Sequence, residues 1–101
     1  MFNVEFRCII HNAGTLHRTE QMPFVPFPGM EIVRPDQSEG TVERIGWDRE
    51  QRRVIAWLES KEPKHPETFV PSFVAMHRGW GWEWTPLGET CQACGLATPA
   101  N

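Results

Sequence analysis

Phe2-Asn3-Val4-Glu5-Phe6-Arg7-Cys8-Ile9-Ile10 is the stretch on which the fold turns. Side chains on an extended strand point alternately to opposite faces. Phe2, Val4, Phe6, Cys8 and Ile10 therefore share one face, while Asn3, Glu5, Arg7 and His11 lie mostly on the other. One face needs a core and the other tolerates water, which predicts a half-buried strand. Asn12-Ala13-Gly14 reads as a hairpin turn into Thr15–Met22, whose polar composition suits a sheet edge.

Beyond the hairpin, Met22-Pro23-Phe24-Val25-Pro26-Phe27-Pro28-Gly29 spaces its prolines so that neither a helix nor a central strand can form. An extended connector results, with Phe24 and Phe27 expected to press into the core. Met30–Arg34 is a short strand, and Pro35–Gly40 carries turn residues. Thr41–Trp47 and Arg53–Glu59 pair around Asp48–Arg52. Gly46 is read as a bulge, shifting the alternation between Val42 and Ile45. Val54, Ala56 and Leu58 face one way and Ile55 and Trp57 the other, as a central strand requires.

After a polar loop, Thr68 reads as a helix N-cap with Pro71 in the first turn, where a missing amide does little harm. Phe69, Phe73 and Met76 follow at helical spacing beside Val70, Val74 and His77, and Gly79 ends the helix. The run Gly79-Trp80-Gly81-Trp82-Glu83-Trp84 alternates again and predicts a strand with three indoles in one row. Such a row closes a core or offers a stacking platform; in a small domain the core is the stronger reading. The whole predicts an α+β, mainly β protein: a small curved antiparallel sheet or an SH3-like, partly open barrel with one short helix. Residues 1–87 form one β-rich domain, and 88–101 form a tail carrying Cys91 and Cys94.

Composition narrows the function. The chain of 101 residues is 40% hydrophobic and 23% charged, which is globular rather than disordered. No apolar run reaches the roughly 18–20 residues that span a bilayer. The N-terminus alternates at once, unlike a signal peptide. An odd number of cysteines makes no disulfide framework and fits a reducing, cytoplasmic setting. A net charge of −3 disfavours phosphate-backbone binding. Arg49, Arg52 and Arg53 form the one dense cationic group, beside Asp48 and Glu50 at a hairpin tip.

Thr90-Cys91-Gln92-Ala93-Cys94-Gly95 is the only chemically loaded motif. Two thiolates at this spacing can grip one tetrahedral zinc but make half a site. The other half would come from His11, His17, His65 or His77, or from a second chain, giving a zinc-bridged homodimer. Cys8 lies on the apolar face and reads as a core thiol. No nucleophile elbow, phosphate loop or His-Glu-x-x-His pattern is present. An enzyme would have to use His17 or His77 with a nearby carboxylate.

The sequence therefore favours a non-enzymatic module, monomeric or homodimeric, that binds an as yet undefined protein partner. Trp47, Trp57, Trp80, Trp82, Trp84, Arg49, Arg52 and Arg53 are its candidate contact residues. Its size and style suit a bacterial, phage or mobile-element accessory or inhibitor protein. The alternative is a zinc-stabilised module, nucleic-acid-associated or dimeric, built on Cys91 and Cys94.

Overall fold

The computed structural model describes residues 1–35 and 37–87. Six strands and one helix follow one another as β1 (Phe2–Ile10), β2 (Gly14–Met22), β3 (Glu31–Arg34), β4 (Gln37–Asp48), β5 (Arg53–Leu58), α1 (Pro66–Gly79) and β6 (Glu83–Pro86). They form one sheet in the order β3-β4-β5-β1-β2-β6. The sheet is not closed, β3 and β6 being its two edges, and the architecture is a small α+β fold, mainly β with one helix.

The expectation of a purely antiparallel sheet is corrected. β1 and β5 run parallel at the centre, with Val4 opposite Val54, Phe6 opposite Ala56 and Arg7 opposite Trp57. The reason lies in the connector. The chain leaves β2 and re-enters at the far edge, so the β3-β4-β5 meander folds back and lays β5 along β1. Four strand spacings, about 19 Å if flat, separate β2 from β3, a span that an extended proline-rich segment can cover. This segment buries Pro26 but leaves Phe24, Val25 and Phe27 exposed, contrary to the expected packing.

Two irregularities bend β4. Against β3 the register shifts between Ile32 and Val33, which makes Glu39 the extra residue, and against β5 it shifts between Val42 and Arg44, which makes Glu43 the extra residue. The parity switch expected near Gly46 is thus real, but it sits three residues earlier. Arg18 of β2 reaches Glu39 of β4 at 3.7 Å with β5 and β1 lying between their strands, so the sheet curls over its core face. That face carries Val4, Phe6, Cys8, Ile10, Leu16, Val42, Val54, Ala56 and Leu58, all buried.

Helix α1 links β5 to β6 and closes the core with Val74 and His77, both buried. It starts earlier than expected, with Pro66 in the first turn and no side-chain cap. Thr68 Oγ1 donates to the His65 carbonyl at 3.2 Å instead of capping. Pro71 consequently falls in the second turn, on the exposed side, where water can solvate the carbonyl it leaves unbonded. The helix ends in a turn made by Gly81 at φ +95°, with the Trp82 amide donating to the His77 carbonyl at 3.0 Å. This reversal breaks the predicted tryptophan strand. Only Glu83–Pro86 is extended, and it pairs with β2, which is therefore not an edge. Among the described residues no helix is long and apolar enough to cross a membrane.

Candidate functional site

The alternation that sends Val4, Phe6 and Cys8 to the core sends Glu5 and Arg7 to the face that α1 does not cover. Strand pairing then decides their neighbours. Trp57 lies beside Arg7, Arg7 beside His17, and His17 beside Glu83, so one row crosses β5, β1, β2 and β6. Arg44 of β4 extends this row on the far side of Trp57. An open groove of about 510 Å³ runs across the face, lined in part by Glu5, Arg7, His17, Arg53, Trp57 and Thr85.

Its floor is charged yet dry. Glu5 is only 5% exposed because two arginines cover it. Arg7 Nε donates to one carboxylate oxygen, and Arg53 Nη2 approaches the other at 2.7 Å. Arg53 Nε is buried and meets Asp48 Oδ2 at 3.5 Å, an ion pair rather than a hydrogen bond. Asp48 in turn accepts the Glu50 and Gln51 amides, so the β4–β5 turn and the groove floor are one network. Buried carboxylates are tolerated only when paired in this way.

Trp57 forms the aromatic wall. An added Cβ on Gly46 would lie 2.8 Å from Trp57 Cζ3, so the missing side chain is what lets the indole lie across β4. Arg44 stacks over the ring at 3.8 Å from its centroid, and Arg7 lies at 5.9 Å. Both distances fall within cation–π range.

The opposite wall is polar. His17 Nε2 and Thr85 Oγ1 are 3.1 Å apart, and His17 Nδ1 stands 3.7 Å from Glu83 Oε1. Hydroxyl, imidazole and carboxylate in sequence have the makings of a nucleophile and its base. The His–Glu separation is too long for the hydrogen bond that would orient the ring, and Glu83 is largely exposed. The trio therefore reads as a groove wall. His77, the other histidine considered for catalysis, is 2% exposed and sealed among Phe73, Trp80 and Trp82. Its Nδ1–H donates to the Phe73 carbonyl at 2.9 Å, since a carbonyl can only accept. Burial holds its pKa below the usual histidine value, partly offset by the Phe73 hydrogen bond and by Glu39.

The residues singled out in the sequence are dispersed. Trp57 and Arg53 meet in the groove. Arg49 and Arg52 sit exposed at the β4–β5 tip, where Arg52 closes the turn at φ +57°. Trp47 is 62% exposed and extends the core face past its end, opposite Val54. Trp82 is buried in the core, Trp80 and Trp84 pack against it half-buried, and Arg34 lies over Trp80 at 4.8 Å. The three indoles thus belong to the core rather than to a platform. Cys91 and Cys94 lie outside the described residues. Among the described residues no three His, Cys, Asp or Glu side chains gather as metal ligands. Cys8 is buried, its thiol pushed up in pKa by desolvation, with Sγ 3.8 Å from the Glu59 carbonyl.

Sequence reasoning missed Glu5, Arg7 and Arg44 as site residues. Strand parity put Glu5 and Arg7 on the correct face, but their meeting with Trp57 depends on the parallel β1–β5 pairing, which no local signal announces. The bulge at Glu43 hides Arg44 in the same way, by moving it to the Trp57 face. No protein-family model matches the chain, and neither curated proteins nor solved structures show a significant similarity to it.

Proposed function

We propose that this domain is a protein-binding module whose contact surface is the uncovered sheet face. The observation that carries the reading is Trp57, half-buried on a central strand, seated over Gly46 and flanked by Arg44 and Arg7. Tryptophan and arginine dominate the energetics of protein interfaces, above all when held rigid before the partner arrives. Here the strand ladder, the Gly46 seat and the Glu5 ion pairs fix the wall and floor, so little side-chain entropy remains to be lost on binding. The groove is open and shallow, a shape suited to a polypeptide surface rather than to an enclosed small ligand.

The test is site-specific photo-crosslinking of the full chain in cells of its source organism. A photoreactive residue replaces Thr19, which lines the groove, or Ala75, exposed on the outer side of α1. A discrete protein adduct from position 19, absent from position 75 and lost on Trp57→Leu in a variant that still melts cooperatively, is the expected result. Equal adducts from both positions, or none from position 19, would overturn the proposal.

A further inference from the structure

Of the ten lysines and arginines of the chain, four are held in ion pairs and six are not. Arg7, Arg18, Arg34 and Arg53 each hold a carboxylate. Among the described residues six have no ion-pair partner: Lys61 and Lys64 before α1, Arg78 at its end, and Arg44, Arg49 and Arg52 on the β4–β5 hairpin that carries Trp57, where Glu43, Asp48 and Glu50 are sequence neighbours. Arg44 differs from the other two in being held. Its guanidinium lies on the Trp57 ring at 3.8 Å, and the ring is held by Gly46 below. Stacking restrains the plane of the guanidinium and leaves the N–H donors along its edge for a planar anion.

We infer that the β4–β5 side of this face, beyond the Trp57 wall of the groove, recognises a carboxylate-bearing, extended polypeptide segment, with Arg44 receiving one acidic side chain and the hairpin-tip Arg49 and Arg52 receiving others. This rests on the protein-binding reading of the same face and names what the partner must present. Charge complementarity is the argument: an exposed, oriented guanidinium followed by two unpaired cations. From Arg44 to the tip is about five residues of strand, roughly 17 Å. An extended acidic segment of five or six residues covers that distance. A single-stranded nucleic acid fits less well. Arg44 already occupies a face of Trp57 that a base would need for stacking.

The probe is capped hexaglutamate, with capped hexaglutamine and the hexanucleotide of thymidine as comparisons. Binding is followed by heteronuclear NMR of the full chain at low ionic strength. Saturable shifts at the Trp57 indole N–H and the Arg44 Nε–H are expected with hexaglutamate and absent with hexaglutamine. Arg44→Gln should weaken binding by about tenfold, the scale of one charge-assisted pair. Arg78→Gln, which removes an exposed cation from the end of α1, should leave it unchanged. Trp57 acts here as a positioning residue: Trp57→Leu should weaken binding although Arg44 remains, and Trp57→Phe should restore most of it.

No saturable shift, or equal losses from Arg44→Gln and Arg78→Gln, would overturn the inference. Tighter binding of the oligothymidine at the same signals would overturn it in favour of nucleic acid. A crosslink from position 19 that survives Arg44→Gln would keep the protein-binding function while removing the carboxylate specificity, so the two failures are separable.

Discussion

Gly46→Ala tests whether Trp57 is seated by the absence of a side chain. Gly46 does not have a positive φ, so its backbone gives no reason for glycine. An alanine Cβ would stand 2.8 Å from Trp57 Cζ3 and 3.0 Å from Cη2, closer than a carbon–carbon contact allows. The indole must tilt or the strands must part, an overpacking cost of about 1–3 kcal/mol. Replacing glycine within a strand returns about 0.5–1 kcal/mol of backbone entropy. The net expectation is a loss of about 0.5–2 kcal/mol in the wild-type background. In a Trp57→Leu background the obstructing atoms are gone, and the same substitution should be neutral or slightly stabilising. Urea unfolding followed by far-ultraviolet circular dichroism measures both, and a double-mutant cycle gives a coupling of about 1–2 kcal/mol. Equal effects of Gly46→Ala in the two backgrounds would refute the seating argument, and with it the claim that Arg44 rests on a fixed platform.

Gly14→Ala should be far more damaging, because the obstructing atoms are backbone: the new Cβ would meet Pro86 Cα at 2.9 Å and the Thr85 carbonyl more closely still. A loss of about 3 kcal/mol in unfolding free energy is expected, and a loss below that of Gly46→Ala would show that β6 is not packed on this turn. His77 predicts a pH dependence. Its folded pKa is lowered by burial, so between the unfolded value of 6.5 and the folded value the unfolded chain binds the extra proton. Stability then falls as pH drops below about 6.5, with a slope of at most ~1.4 kcal/mol per pH unit. His77→Phe should flatten that part of the profile in urea titrations; an unchanged slope would assign it to other groups.

Much of the architecture follows from local chemistry. The apolar side chains of Val4, Phe6, Cys8 and Ile10, the Asn12 and Asp48 turns and the amphipathic spacing of α1 each act within a few residues and appear as local chemistry places them, whereas Phe2, on the same parity, is 45% exposed. What local chemistry does not contain is which strands become neighbours. The parallel pairing of β1 with β5 is a consequence of where the proline-rich connector delivers the chain, so the meeting of Arg7 with Trp57 could not be read from either segment. The tryptophan run misled for a different reason: the alternation of Trp80, Trp82 and Trp84 is genuine, but Gly81 at φ +95° turns the chain between the first two. Phe24 and Phe27 misled because hydrophobicity was weighed without position: in this connector Pro26 takes the buried place and the two phenylalanines face water.

The uncovered face is more than the solvated side of a sheet. A sheet with one wet face needs only polar residues there, and serine or threonine in place of Glu5, Arg7 and Arg53 would meet that need. Instead Ile55 is 4% exposed and Glu5 is 5% exposed on this face, Glu5 held between Arg7 and Arg53. Removing a carboxylate from water costs several kcal/mol before its partners compensate, and a buried ion pair rarely gives more stability than an apolar core of the same volume. Stability alone therefore gives weak reason for the arrangement. What the network does provide is fixed geometry: Glu5 holds Arg7 and Arg53, Arg53 holds the Asp48 turn, and Arg7 and Arg44 lie against Trp57. A surface whose groups are oriented before any partner arrives loses less entropy on binding. The cost of burying Glu5 is thereby tied to the fixed geometry at Trp57, and both to the strand pairing that brings them together.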